Sequence, residues 1–186
     1  MPARVYFVDV NILGELFKYY PQRLFPDLYA HIDGLIDNGC FRVPDETYRE
    51  VMADAVREWL DERKSSVVWE TEEPQLDCLR ILVAQLPAFV DHSKPSGRDA
   101  DHPFVAHAMA CNFDAAGGYA SGPATVLTNE RLRRGRETRL RIPDACDYFD
   151  IRCGHFLDLI EDLGLEFGLR SRGDQSRHNG VVGDAP

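Results

Sequence analysis

The chain has 186 residues and contains no apolar run near the ~20 residues that would cross a bilayer. Its N-terminal segment also lacks a long apolar stretch and a small-residue cleavage site, so we expect no secretory signal, no membrane association and a cytoplasmic location. Its five cysteines include no C-x-x-C pair, which argues against a disulfide framework or a structural zinc site. A basic surplus is missing too, because the net charge is −10, and bulk acidity disfavours non-specific adhesion to nucleic acid.

Short apolar runs alternate with helical patterns along most of the chain. Residues 5–8, 40–44 and 124–128 resemble buried strands. Helical patterns cover residues 12–20, 28–38, 46–63, 75–86, 101–112 and 156–163. Residues 65–70 form either a short extended piece or a loop. This order predicts an α/β fold with a central parallel sheet flanked by helices on both faces.

Polar and acidic residues follow the predicted strands. Asp9 and Asn11 come directly after the first strand, and Asn129 and Glu130 follow the strand at 124–128. Ligands of open α/β sheets bind beyond the carboxyl ends of the strands. Four acidic side chains can therefore converge at this edge: Asp9, Glu50, Asp101 and Glu130.

Such a carboxylate cluster needs something to offset its repulsion and the cost of its desolvation. A divalent cation is the usual answer. Hard oxygen ligands, with no histidine or cysteine required, favour Mg²⁺ or Mn²⁺ over Zn²⁺. Metal ions held this way activate a water molecule and neutralise charge at a scissile phosphate, so the pattern points to phosphodiester hydrolysis.

Four motifs in order carry a resemblance to a known family: YFVDVN, VPDETYREV, DADHPFVAHAMA and ATVLTNE. Together they resemble the PIN-domain superfamily, whose small bacterial and archaeal members include VapC-type toxins. The chain looks most similar to a branch with a YYP…FP segment, here at 19–26, and an I-P-D-x-C segment, here at 142–146. The resemblance spans about residues 4–163.

This resemblance implies a single PIN-like nuclease domain over residues 1–165, and we expect a disordered C-terminal tail over 166–186. It further implies a Mg²⁺- or Mn²⁺-dependent endoribonuclease that acts as the toxin of a toxin–antitoxin pair. RNA would then be the substrate, and an antitoxin protein would be the cognate partner. A homodimer is also expected as an assembly. Asp9, Glu50 and Asp101 carry over as metal-binding and catalytic acids. Glu130 stands where many relatives have Asp, as an auxiliary ligand.

Several alternatives remain open around these acids. Asn11, Asp99, Thr128 and Asn129 could surround the metal ligands. Asp9 could instead be a simple helix N-cap. Glu46 lies one helical turn before Glu50 and rivals it, and Asp99 competes with Asp101. Two residues depart from the family pattern: Val10, where Thr or Ser is usual, and Glu130. These departures motivate a second hypothesis, in which the chain is a catalytically weak module that binds RNA or a protein partner. A haloacid-dehalogenase-type phosphatase is disfavoured, because it needs an acid where the chain has Asn11.

Basic and aromatic residues near the acids suggest RNA contacts. Six arginines fall within residues 130–141, and Arg131, Arg133 and Arg134 could grip phosphates. A solvated loop, or a surface for an acidic partner, explains them equally well. Lys18 with Tyr19 and Tyr20 could contact single-stranded RNA, although such aromatics more often belong to the core. We expect His102 and His107 to be structural and Asp144 to be a cap or turn residue.

Overall fold

The computed structural model describes residues 4–89, 101–116, 122–132 and 140–166. In this part of the chain five parallel strands form one sheet in the order β3-β2-β1-β4-β5. The strands are β1 (Val5–Val8), β2 (Phe41–Pro44), β3 (Val68–Trp69), β4 (Ala124–Leu127) and β5 (Arg152–Gly154). Their carboxyl ends share one edge, called here the carboxyl edge.

Helices connect the strands. They are α1 (Val10–Tyr19), α2 (Pro26–Asp37), α3 (Asp45–Glu50), α4 (Asp54–Glu62), α5 (Lys64–Val67), α6 (Glu73–Gln85), α7 (Asp101–Ala116), α8 (Ile142–Tyr148) and α9 (Phe156–Asp162), with a 3₁₀ turn at Pro87–Phe89. The turn after α2 uses Gly39 at φ +65, a left-handed conformation that favours glycine. No helix of the described residues is long and apolar enough to span a membrane.

The sheet is covered on both faces, which confirms the predicted fold class. Tyr6 and Val8 of β1 point into a core with α1, α2, α4 and α9. Val5 and Phe7 point into the opposite core with α6, α7 and α8. Successive side chains of a strand alternate between faces, so four consecutive buried residues are what a strand with two covered faces requires.

The structure corrects the predicted elements at two places. The single helix expected over 46–63 is wrong, because α3 ends at Glu50 and α4 begins at Asp54. Val51 and Ala53 have extended backbone there, and Val51 is 3 % exposed, so the chain turns to bury that side chain. The sheet has five strands in the described residues, and three of them were clear from the sequence. Of the two alternatives for residues 65–70, the short extended piece is correct at β3, which follows a helical turn, and β5 was not anticipated.

Candidate functional site

Asp9 lies directly after β1 at the carboxyl edge and is 9 % exposed. It occupies the N-cap position of α1, but its side chain forms no capping hydrogen bond. Instead, its Oδ2 accepts hydrogen bonds from Asn11 Nδ2 at 2.5 Å and from Thr128 Oγ1 at 2.7 Å. Burial raises the pKa of Asp9 to about 6, and the nearby charge of Glu130 adds to the rise, against the lowering effect of the hydrogen bonds. A buried carboxylate with this environment favours a cation.

A hydrogen-bond network joins the ends of β1 and β4 around Asp9. Asn11 Oδ1 accepts from the Asn129 backbone N–H at 2.9 Å, and Asn129 Nδ2 donates to Glu15 Oε2 at 2.7 Å. Asn11 Nδ2 also lies 3.3 Å from Thr128 Oγ1. The sequence-predicted residues Asn11, Thr128 and Asn129 are therefore together with Asp9, and Glu15 is an additional carboxylate. It could have been anticipated, because it stands four residues after Asn11 on the same face of α1.

Glu130 follows β4 and faces the same region, since its charge acts on Asp9. Its backbone N–H donates to Thr128 Oγ1 at 3.2 Å, and its Oε2 accepts from the Ile142 backbone N–H at 3.0 Å. The second contact ties Glu130 to the first residue of α8. One oxygen of the carboxylate is thus engaged by the protein.

Asp101 is the first residue of α7. The opposite part of α7 lies at the start of β4, where Asn112 Oδ1 accepts from the Ala124 backbone N–H at 2.9 Å. Eleven residues of helix rise ~16 Å, whereas the four residues of β4 rise ~13 Å. These lengths are similar, and the role of Asp101 as a metal ligand stays a prediction from the sequence motif.

Glu46 and Glu50 lie four residues apart on α3, and the structure gives them different surroundings. Glu46 Oε1 accepts from Thr71 Oγ1 at 2.8 Å, and Thr71 Oγ1 lies 3.0 Å from His107 Nε2. Since the hydroxyl proton goes to the carboxylate, His107 Nε2–H donates to Thr71. Glu46 Oε2 is buried and has no hydrogen-bond partner within the described part of the chain. Glu50 is half-buried and has no hydrogen bond or ion pair among the described residues.

His107 is a buried neutral residue. It is 3 % exposed, and burial, helped by the charge of Arg42, lowers its pKa to about 4. Its ring contacts Phe7 at a centroid distance of 6.2 Å. These contacts agree with the structural role that we expected. Asp144 is a cap, as predicted, because its Oδ2 accepts from the Arg141 backbone N–H at 2.8 Å.

The expected RNA-contact residues are only partly described. Lys18 and Tyr19 are exposed, with Lys18 Nζ 4.9 Å from the Tyr19 ring centroid. Tyr20 instead packs on Phe25 and Phe156. Arg131 is exposed and directly follows Glu130. Asp99, Arg133 and Arg134 lie outside the described residues.

The side chains around Asp9 and Glu130 offer oxygen atoms, which are the ligands that a hard divalent cation prefers. Across residues 4–89, 101–116, 122–132 and 140–166, no three His, Cys, Asp or Glu side chains already stand close enough together to hold a metal ion. The Asp9–Glu130 region nevertheless combines a buried carboxylate, a second negative charge and oxygen or amide neighbours. A cation there would offset the repulsion and the burial of charge, and oxygen donors suit Mg²⁺ or Mn²⁺.

A cleft of about 610 Å³ adjoins this region on the β5 side and includes Glu130 in its wall. His155, the residue before α9, lines the same cleft, with Nδ1 2.8 Å from the Thr128 carbonyl oxygen. Sequence reasoning did not find His155. Its placement depends on β5, a three-residue strand with an exposed first residue that the apolar pattern does not reveal.

Comparisons with known proteins give two findings. A family model described as "Domain of unknown function (DUF4411)" matches residues 6–167. A crystal structure of VapBC2 from Rickettsia felis, bound to a DNA fragment from their promoter, is similar with a TM-score of 0.46 and 13 % sequence identity, and the match covers 81 % of this chain and 98 % of that chain. None of the curated proteins compared with the chain matches it.

Proposed function

The chain belongs to the DUF4411 family, and we propose that its domain is a Mg²⁺- or Mn²⁺-dependent endoribonuclease. The observation that carries this proposal is the buried carboxylate of Asp9 beside the charge of Glu130 at the carboxyl edge of β1 and β4. A fold that keeps two like charges close together, one of them desolvated, gains from a divalent cation. The resemblance of the four acidic motifs to the PIN-domain superfamily supports the same chemistry.

The proposed roles follow the resemblance of the acidic motifs to those of the PIN-domain superfamily. Asp9 and Asp101 would be the main metal ligands, Glu50 a ligand or a residue that orients water, and Glu130 an auxiliary ligand. The bound ion would activate a water molecule and neutralise charge on the scissile phosphate. Asn11 and Thr128 both donate to Oδ2 of Asp9, so they fix the orientation of this carboxylate before any substrate arrives. Arg131 and Lys18 are proposed to contact RNA phosphates.

The biological setting is proposed from the sequence resemblance. The motifs are similar to those of VapC-type toxins, so we propose that the chain is the toxin of a toxin–antitoxin pair in the cytoplasm. Its partners would then be RNA and a cognate antitoxin protein, with a second copy of the chain as a further partner. Co-purification of the chain with the product of a neighbouring gene, followed by inhibition of RNA cleavage by that product, tests this setting.

The test of the activity compares Mn²⁺-dependent RNA cleavage by the wild type and by Asp9→Asn. We expect the substitution to lower the rate by about 100-fold or more, because it removes a charged ligand that stabilises transition-state charge through the metal. Asp37→Asn, at an exposed position of α2, is the matched control and should cleave like the wild type. Equal cleavage by Asp9→Asn and the wild type would contradict the site.

A second function is favoured by specific observations. One oxygen of Glu130 is engaged by the Ile142 backbone N–H, and no three acids of the described residues already form a metal cluster. A catalytically weak module that binds RNA or a protein partner would show these features. Calorimetry separates the two functions, since measurable Mn²⁺ binding at neutral pH supports the nuclease and its absence supports the binding module.

A further inference from the structure

The cleft beside Glu130 has a mixed wall. Its apolar part includes Leu132, Pro143 and Ile151, its planar part is the imidazole of His155, and its acidic part includes Asp147 and Asp158. Glu130 belongs to the same wall. Whatever fills this cleft therefore lies next to the acidic site at the carboxyl edge.

His155 is held in this wall from two directions. Its Nδ1 lies 2.8 Å from the Thr128 carbonyl oxygen, and its backbone N–H donates to Asp158 Oδ2 at 2.5 Å. A carbonyl oxygen only accepts, so Nδ1 carries the proton and donates. Nε2 and the ring face are then the parts of His155 left for a ligand. The same Thr128 donates its hydroxyl to Asp9, so one residue orients both the carboxylate and the imidazole.

The negative charge of the cleft wall favours binding of an RNA base over binding of a phosphate group. Two carboxylates, Asp147 and Asp158, would repel a phosphate group placed deep in the cleft. A neutral base suits it better, because a base stacks on an imidazole ring and on apolar surface and carries N–H donors along its edge. Asp158 already accepts from His155, whereas the exposed Asp147 carboxylate has no hydrogen bond or ion pair among the described residues. Glu130 and Asp158 each have one oxygen engaged, so Asp147 is the carboxylate of the described wall that has both oxygens left for a ligand.

Resting on the proposed nuclease function, we propose that this cleft holds one unstacked base of single-stranded RNA beside the metal site, with His155 as its stacking surface and Asp147 as its hydrogen-bond acceptor. Guanine is the preferred base, since its N1–H and N2–H₂ groups stand side by side and match the two oxygens of a carboxylate. Paired RNA does not fit, because its bases are stacked and their edges are occupied. Arg131, in the same wall, carries the positive charge suited to the phosphate of that nucleotide.

The experiment measures binding of labelled five-nucleotide RNAs by fluorescence anisotropy with Ca²⁺ present. The RNAs are oligouridine and the same chain with a single central guanine, adenine or cytosine, together with a duplex. We expect the wild type to bind the guanine RNA about tenfold more tightly than oligouridine, and the duplex more weakly than either. His155→Asn keeps a donor near the Nδ1 position but removes the ring, and should weaken binding of every single strand by about fivefold or more. Asp147→Asn should abolish only the guanine preference.

Two matched controls separate local contacts from general effects. His31 on α2 is exposed and has the same kind of contact, with Nδ1 2.7 Å from the Asp27 carbonyl oxygen, so His31→Asn should bind every RNA like the wild type. Asp37→Asn is the corresponding control for Asp147→Asn. Mn²⁺ affinity, measured by calorimetry, should be the same in all four variants.

The outcomes distinguish this proposal from the one on which it rests. A wild type that binds and cleaves RNA, but whose affinities are unchanged by His155→Asn and Asp147→Asn, overturns the base-binding cleft and leaves the nuclease standing. A wild type that cleaves RNA but binds none of these single strands also overturns the cleft alone, and a wild type that neither binds nor cleaves RNA overturns both. Loss of thermal stability in His155→Asn, without any change in RNA affinity, would show that His155 only secures the start of α9, and this also overturns the proposal.

Discussion

At the scale of single residues, the choice between Glu46 and Glu50 decides how the acidic site is completed. Glu46 is tied to Thr71 and has one buried oxygen without a partner, while Glu50 has no partner among the described residues. A carboxylate without a hydrogen bond or ion pair among the described residues can turn towards an ion, so Glu50 is the proposed ligand. The buried oxygen of Glu46 is the observation that keeps it as the rival.

We predict that Glu50→Gln weakens Mn²⁺ binding by about tenfold or more, since a charged oxygen ligand is lost, and leaves the melting temperature of the metal-free protein unchanged. Glu46→Gln should leave Mn²⁺ affinity within about twofold and change the melting temperature, because it alters the hydrogen bonds to Thr71 and His107. Calorimetry and thermal unfolding of both variants in parallel check this. The reverse pattern would assign the ligand to Glu46.

A site residue could be predicted from the sequence when it directly follows a strand that the apolar pattern reveals. Asp9 and Glu130 directly follow strands that are recognisable from apolar runs, so their meeting at one edge follows from a parallel sheet. Glu15 and His155 were missed for different reasons. Glu15 belongs to the site through a side-chain hydrogen bond from Asn129, and His155 belongs to it through a strand that the pattern does not show.

At the scale of elements, α7 and the start of β4 approach each other closely at Gly122. Gly122 lies against Asn112, whose Oδ1 accepts from the Ala124 backbone N–H. A Cβ added at Gly122 would stand 2.2 Å from that Oδ1. No side-chain adjustment of Asn112 alone relieves this contact, because its Cβ would also lie within 2.6 Å. The close approach, rather than a special backbone angle, is what requires glycine here.

Gly122→Ala should therefore destabilise the protein by about 1–3 kcal/mol, as overpacking does. Gly34→Ala is the matched control, since nothing lies within 4 Å of a Cβ at this position in the middle of α2. That substitution should stabilise by about 0.5–1 kcal/mol through helix propensity. Chemical denaturation of both variants measures the difference. Equal stabilities would contradict the close packing of α7 against the start of β4.

The errors at the element scale have two physical causes. β3 and β5 contain only two and three residues and include exposed positions, so neither gives the continuous apolar run of a buried strand. The break between α3 and α4 contains no Pro or Gly. It arises because Val51 is buried, and tertiary packing of this kind overrides a continuous helical pattern. The four-residue buried strands and the helices α1, α2, α6 and α7, whose signal is local, were predicted within a few residues of their observed bounds.

At the scale of the whole molecule, two aspartates at opposite edges of the sheet give opposite dependences of stability on pH. Asp9 lies at the carboxyl edge and Asp162 at the other, where it pairs with Arg4 and Arg152 and accepts from Tyr6. Partial burial would raise the pKa of Asp162, but the hydrogen bonds from Arg152, Arg4 and Tyr6 outweigh it and hold the pKa at about 2. Burial raises the pKa of Asp9 to about 6.

The signs follow from proton linkage. The folded state binds the proton of Asp9 more tightly than the unfolded state, so this group costs stability as pH rises from about 4 to 6, by roughly 3 kcal/mol in total. The folded state binds the proton of Asp162 less tightly, so this group contributes stability above about pH 4 that is lost as pH falls towards 2. Both contributions vanish when both carboxyls are protonated in the folded and unfolded states.

We predict that, in metal-free buffer at pH 7, Asp9→Asn raises the melting temperature by several degrees and Asp162→Asn lowers it by ~3–5 °C. The gain from Asp9→Asn should disappear by about pH 4, and the loss from Asp162→Asn should shrink as pH falls below about 4. With Mn²⁺ at pH 7, the wild type should melt at a higher temperature than Asp9→Asn. The ion stabilises the wild type through Asp9 and cannot do so in Asp9→Asn. Thermal unfolding across this pH range, with chelator and with Mn²⁺, tests all three parts. If Asp9→Asn is less stable than the metal-free wild type at pH 7, the prediction is wrong. The hydrogen bonds that Asp9 accepts would then stabilise the carboxyl edge by more than the buried charge of Asp9 destabilises it.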